Sequence, residues 1–183
     1  MTDLSDAHTE QLSLKGRKAV ITGGTTGIGR AIAVLLASEG AKVFVCGRTP
    51  AHLDDALKRI REVGDGDGIN VDLANREDVA RFFEAADKYL GGLDLAVINA
   101  AAPAEALAET DDQDTDYQIA LDFTSYLTTT QAAARRMKAR SDIVLIGSMS
   151  AVSRKGGDSI YVAAKSGIQG FAKSLREELA EQD

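Results

Sequence analysis

The chain has 183 residues, with 21 Lys and Arg against 28 Asp and Glu, a formal charge of −7, 44% hydrophobic residues and 27% charged ones. These ordinary globular values exclude a disordered, collagen-like or disulfide-scaffold protein, and the length suits one substantial core or two small ones. The acidic balance, without a local basic patch, argues against a nucleic-acid partner.

Residues 1–13 are polar and acidic without periodicity and are expected to form a flexible tail. Met1-Thr2-Asp3-Leu4-Ser5-Asp6 places acids where a signal peptide needs basic residues and then an apolar stretch, and no later run approaches the ~18 apolar residues of a membrane span. The expectation is a cytoplasmic protein with no membrane partner. Cys46 is the only cysteine, which excludes an intramolecular disulfide, and with His8 and His52 it cannot supply a structural zinc site, so no metal is expected.

From Leu14 onward short β-branched runs alternate with segments of helical period. Strands are expected at 19–21, 42–46, 68–71, 93–98 and 143–146, and helices at 28–39, 50–63, 75–90, 113–139 and 160–181. Near-continuous apolar strands between amphipathic helices predict an α/β fold with a doubly wound parallel sheet covered on both faces. Gly40, Pro50, the run Gly64-Asp65-Gly66-Asp67-Gly68 before the third strand, and Gly91-Gly92 punctuate the plan. The seven acids from Glu105 to Asp122 fit a solvated helix entry.

The first strand runs into Thr22-Gly23-Gly24-Thr25-Thr26-Gly27-Ile28-Gly29 and then a helix. Such a turn aims free N–H groups and the positive end of the helix dipole at one point, which suits a pyrophosphate. The spacing Gly23-x-x-x-Gly27-x-Gly29 differs from G-x-G-x-x-G, and Arg30-Ala31 stands where a Walker A loop has Lys-Ser/Thr, which disfavours an ATPase. A tight turn alone would also want glycine, but this one lies in the first unit of an alternating chain. Here the sequence resembles the short-chain dehydrogenase/reductase family, whose nucleotide motif is Thr-Gly-x-x-x-Gly-x-Gly.

The resemblance implies a Rossmann fold with strand order 3-2-1-4-5 and nucleotide contacts from Gly23, Thr25, Thr26, Gly27, Ile28, Gly29, Arg48, Thr49, Asp72, Leu73, Asn99 and Ala100, with Tyr161 and Lys165. The second strand ends Cys46-Gly47-Arg48-Thr49, with a guanidinium where NAD-binding chains carry a carboxylate for the ribose 2′-OH. Arg48 therefore favours NADP(H) over NAD(H), unless it is only a surface residue at a strand end. Cys46 is most simply a small buried apolar residue. Asp72 stands where the family's Asp meets the adenine amino group. Asn99-Ala100 match part of the family's Asn-Asn-Ala-Gly, from which Ile98 and Ala101 depart, and Asn99 either braces the sheet centre or touches nucleotide.

Ser148 follows the fifth strand, and Tyr161-Val162-Ala163-Ala164-Lys165 puts Tyr161 and Lys165 a turn apart on one helix face. Bringing a Tyr from about 10 to about 7 takes roughly 4 kcal/mol of preference for phenolate, and a nearby ammonium in a partly dry site supplies much of it. The resemblance implies Tyr161 as proton donor or acceptor, Lys165 on the ribose hydroxyls, and Ser148 on the substrate oxygen, with Ser150 and Ser153 as rivals. It also implies an Asn on the preceding long helix. Asp122 stands there instead and is expected either to pair with Lys165 and weaken its pull on Tyr161, or, if the register is shifted, to face solvent.

Ala163, Gly167, Gly170 and Ser174 form a small-residue stripe. It suits either a homo-oligomer interface, dimer or tetramer, as the resemblance implies, or burial against the chain's own fold. The leading expectation is an NADP(H)-dependent oxidoreductase acting on a small-molecule carbonyl or alcohol. Alternatives are a nucleotide-binding sensor or assembly subunit with little turnover, and a nucleotide-sugar epimerase or dehydratase, for which too little chain follows the motif. Only five of six strands are legible, so residues 14–183 are expected to form a single domain lacking its last crossover, edge strands and substrate lid.

Overall fold

The computed structural model describes residues 14–103, 105–154 and 156–180. The tail expected at 1–13 lies outside them. Strands β1 (Lys18–Ile21), β2 (Lys42–Gly47), β3 (Asp65–Asn70), β4 (Leu95–Ile98) and β5 (Asp142–Leu145) form one sheet in the order β3-β2-β1-β4-β5, with every pair parallel. From β1 the chain moves outward through β2 to β3, then crosses back to the other side of β1 for β4. The loops leaving β1 and β4 diverge at that reversal and open a crevice at the carboxyl edge of the sheet.

Strand alternation divides the core in two. Ala19 and Ile21 of β1, Val43 and Val45 of β2 and Val97 of β4 pack with Ala33 and Ala37 of α1 (Gly27–Ser38) and with Leu53, Leu57 and Ile60 of α2 (Pro50–Val63). Val20, Phe44, Cys46, Ala96 and Ile98 pack instead with Phe82, Phe83 and Ala86 of α3 (Arg76–Leu90) and with Tyr126 and Ala133 of α5 (Ser125–Ala134). Because helices cover both faces, both sets of positions in β1, β2 and β4 are apolar after the first residue, and these central strands appear in the sequence as nearly unbroken apolar runs.

The helix ends follow local chemistry. Pro50 opens α2, where its missing N–H costs nothing. Asn75 caps α3 by accepting the Glu77 N–H at 2.9 Å, and Gly91 closes that helix at φ 66°. The long helix expected at 113–139 is α4 (Asp112–Ile119), a π-helical turn at Ala120–Thr124, and α5, ending at Ala134. One helical turn, α6 (Ser150–Ser153), then leads to α7 (Ser159–Ala180). No helix among the described residues is long and apolar enough to cross a membrane.

The third strand differs from expectation. The glycine run expected to precede it is the strand itself, which begins at Asp65 and ends at Asn70 instead of spanning 68–71. A Cβ at Gly66 would lie 2.4 Å from Ile60 Cγ2, and one at Gly68 would lie 2.6 Å from the Val45 carbonyl oxygen and 2.9 Å from Leu53 Cδ1. Glycine here marks the close approach of α2 to an edge strand, not a turn.

Gly68→Val is therefore expected to lower unfolding free energy by about 1–3 kcal/mol in a urea titration. Gly170→Ala, in the exposed face of α7 where a Cβ meets nothing within 4 Å, is expected to raise it by about 0.5–1 kcal/mol. Equal stability of Gly68→Val and the parent would refute the close α2–β3 contact.

Candidate active site

The loop after β1 is braced from β4. Thr22 is fully buried, and its Oγ1 accepts the N–H groups of Asn99 at 2.8 Å and Ala100 at 3.1 Å. Asn99 Nδ2 in turn donates to the carbonyls of Thr22 at 3.1 Å and Gly23 at 3.3 Å. Of the two roles open to Asn99, its amide performs the brace. The part played by Thr22 is not drawn from the sequence, although a polar residue closing an apolar strand is the signal for it.

Glycine is required where these pieces meet. Gly23 has φ 63°, and a Cβ there would lie 2.9 Å from Ala100 Cα. At Gly29 a Cβ would lie 2.2 Å from the Gly23 carbonyl oxygen and 2.5 Å from Asn99 Nδ2. Thr26 occupies the N-cap of α1 without a side-chain cap bond, so the side chain leaves the leading N–H groups of that helix uncovered. Together with the helix dipole they form a preorganised anion cradle.

A cleft of about 600 Å³ opens at this edge. It brings together Gly23, Thr25, Thr26, Gly27 and Ile28 of the loop, Arg48 and Thr49 beyond β2, Leu73, Asn99 and Ala100, and Tyr161 and Lys165 of α7. Gly29, Asp72, Asp122 and Ser148 stand outside its wall. Gly29 packs behind the loop. Ser148 is half-buried three residues past β5, and its Oγ accepts the Ser150 N–H at 3.1 Å, next to Ile146 and Gly147, which do line the cleft.

Asp72 lies two residues beyond β3, and its carboxylate accepts the Ala74 N–H at 3.1 Å and the Tyr117 hydroxyl at 3.0 and 3.2 Å. The Tyr117 hydroxyl also accepts a hydrogen bond from Arg48, whose guanidinium sits 5.5 Å from the ring centre. Tyr117 of α4 thus joins the two expected nucleotide-reading residues, Arg48 and Asp72. Burial raises its pKa, and Asp72 adds to that against the opposing pull of Arg48. An aromatic residue set among the acids of a polar helix is the signal for Tyr117 that the sequence reading passes over. Cys46 is buried, and burial pushes its thiol up to about 12, which leaves it an inert core residue.

Tyr161 and Lys165 enter the cleft from one face of α7. Lys165 is only 2% exposed, and its Nζ donates to the Tyr126 hydroxyl at 2.7 Å and the Ile146 carbonyl at 3.3 Å. The ammonium lies 4.0 Å from the Tyr126 ring centre and 5.6 Å from that of Tyr161. Burial brings its pKa down to about 8, against the attraction of Asp122.

Asp122 overturns the solvent-facing expectation and half of the pairing one, since its charge still favours the charged form of Lys165 although no ion pair forms. It does not face solvent, because the π-helical turn carries it inward to full burial. Nor does it form an ion pair with Lys165: Asp122 Oδ1 accepts the Ala102 N–H at 2.6 Å, while Oδ2 meets no hydrogen-bond donor within bonding distance among the described residues. Burial raises its pKa, opposed by the Ala102 N–H and the charge of Lys165. Gln118 donates to the Pro103 carbonyl at 3.2 Å, so α4 and the π turn together hold the segment leaving β4. The small-residue stripe of α7 splits: a Cβ at Gly167 would lie 2.7 Å from Phe123 Cε2 within the chain, whereas Ala163, Gly170 and Ser174 are exposed.

A family model for short chain dehydrogenases matches residues 17–183. A 3-oxoacyl-[acyl-carrier-protein] reductase of Vibrio cholerae is 31% identical over 172 residues, which cover 92% of this chain and 70% of that protein. A 3-dehydrosphinganine reductase of Arabidopsis thaliana is 31% identical over 182 residues, covering 94% of this chain and 54% of that one, so the chain spans between about half and seven-tenths of these relatives. A short chain dehydrogenase from Burkholderia cenocepacia, solved in complex with NADP, superposes with TM-score 0.87 at 29% identity over 92% of this chain and 71% of its own. A short-chain dehydrogenase/reductase from Serratia marcescens has the same TM-score, identity and coverage.

Removing the brace tests the architecture of the loop. Thr22→Val keeps the side-chain shape but leaves two N–H groups without their acceptor, and is expected to cost about 1–3 kcal/mol in thermal or urea unfolding. An unchanged unfolding midpoint would show that Thr22 does not hold the loop.

Proposed function

The chain belongs to the short-chain dehydrogenase family, and on that premise we propose that it is an NADP(H)-dependent oxidoreductase reducing a small-molecule carbonyl, with Tyr161 as proton donor. The observation that carries the reading is that Tyr161 and Lys165 enter the same cleft as the glycine loop and Arg48. The residues present fit a dinucleotide. Side chains at Gly23 or Gly29 would collide with Ala100, Asn99 or the loop's own backbone and push the cradle out of shape, and Arg48-Thr49 bring a cation and a hydroxyl where a carboxylate would repel a 2′-phosphate. When bound, the nicotinamide supplies the hydride, and the same groups serve the reverse reaction.

The remaining work falls to side chains. Lys165 spends two of its three N–H donors on Tyr126 and Ile146, which leaves one for a ribose hydroxyl. Its charge stabilises the phenolate left as Tyr161 gives its proton to the carbonyl oxygen. Ser148 accepts from Ser150 and keeps its own O–H to donate to that oxygen. The exposed Ala163 and Ser174 suit the close approach of a second α7, which supports a homo-oligomer, dimer or tetramer.

NADPH fluorescence titration, followed by absorbance decay with a panel of ketones and 3-oxoacyl esters, tests this reading. Tyr161→Phe is expected to retain NADPH binding and lose turnover by about 10²–10⁴-fold. Arg48→Ala is expected to weaken NADPH by roughly tenfold or more while NADH binding changes little. The Lys165 charge, present below about 8, is lost as pH rises through that value, so turnover should fall on the basic side with a midpoint near pH 8. Equal losses of NADPH and NADH affinity in Arg48→Ala would refute the 2′-phosphate assignment.

A further inference from the structure

Tyr126 is fully buried in α5, outside every motif in the sequence, and its hydroxyl needs an explanation. Phenylalanine would fill the same space without placing a polar atom in the core. Both bonding capacities of this hydroxyl are used: it donates to the Ile146 carbonyl at 3.0 Å and accepts from Lys165 Nζ at 2.7 Å. Ile146 lies just past β5 and lines the cleft, so the lysine is tied to the carboxyl edge of the sheet directly and through the tyrosine. We infer that Tyr126 is a positioning residue, holding the Lys165 ammonium in place through its hydroxyl so that the remaining N–H faces the cleft. The inference rests on the reading of Lys165 as the working lysine of a dinucleotide-dependent reduction.

The surroundings single out this contact. The titratable groups facing Lys165 are Asp122 from the π turn, Tyr126 from α5 and Tyr161 from its own helix. Asp122 is occupied with the Ala102 N–H and acts on the lysine through space, and Tyr161 is reached only across 5.6 Å to its ring centre. Tyr126 alone offers the lysine a side-chain hydrogen bond among the described residues, and its ring face lies 4.0 Å from the ammonium. It sits four residues after Asp122, on the same inward face of the widened helix. An acceptor on a buried ammonium favours the charged form, so the hydroxyl sustains the charge as well as the position.

The test is a titration of the full chain carrying ¹³C-labelled lysine, with the Lys165 signal assigned from Lys165→Arg and followed by NMR without added nucleotide. In the unaltered chain the midpoint is expected at about 8. Tyr126→Phe keeps the ring and the packing and removes only the hydroxyl, and is expected to lower that midpoint by roughly one to two pH units. A midpoint unmoved or raised in Tyr126→Phe would overturn the inference. So would a midpoint at the ordinary lysine value of about 10.4 in the unaltered chain, with no variant needed. Because the measurement contains no cofactor, a chain that passes it but fails to bind NADPH refutes the proposed function and leaves the tyrosine–lysine contact standing.

Discussion

The structure depends on keeping one ammonium dry. Lys165 sits at 2% exposure beside the cleft, where burial works against its charge, and several neighbouring features answer that cost. The Tyr126 hydroxyl and the Ile146 carbonyl accept its protons, the Asp122 charge acts from a distance, and the Tyr126 ring lies against it. A lysine lowered to about 8 remains mostly charged near neutrality yet lies close to the change. Those two properties suit the roles proposed for it, holding a ligand hydroxyl and stabilising developing negative charge on Tyr161. The π turn belongs to the same solution, since the widened helix brings Leu121 and Asp122 to full burial.

The sheet supplies the other half of the site through its reversal between β1 and β4. Thr22, Asn99 and the glycines bind the loop after β1 to the end of β4 so tightly that a single methyl group at Gly29 would meet backbone at 2.2 Å. The anion cradle at α1 and the lysine-bearing face of α7 are therefore both fixed to the central strands. Ala102 links the two regions, because the segment leaving the Asn99 brace ends on Asp122. Displacing that segment would disturb the loop and the lysine's electrostatic neighbour together.

Much of this was legible in the sequence where the signal is local. The alternation of strands and helices, the loop glycines and the i, i+4 placement of Tyr161 and Lys165 are periodic or short-range patterns, and the structure reproduces them. The misreadings arise where tertiary packing decides. Gly66 and Gly68 look like turn residues until the closeness of α2 to β3 is known. Asp122 falls within the long helical segment of the sequence, but whether it meets Lys165 or solvent depends on a π turn that no periodicity announces. Tyr126 and Tyr117 act through contacts 39 and 69 residues away in the chain, to Lys165 and Arg48, and composition carries no trace of such pairs.

The central claim is that this lysine-held cleft transfers hydride between a bound nicotinamide and a carbonyl. The direct measurement uses NADPH deuterated at both C4 positions with a panel of ketones and 3-oxoacyl thioesters, and reads the product by mass spectrometry. One deuterium is expected on the new carbinol carbon of at least one product. NADPH that binds the chain yet transfers no deuterium to any member of the panel would contradict it.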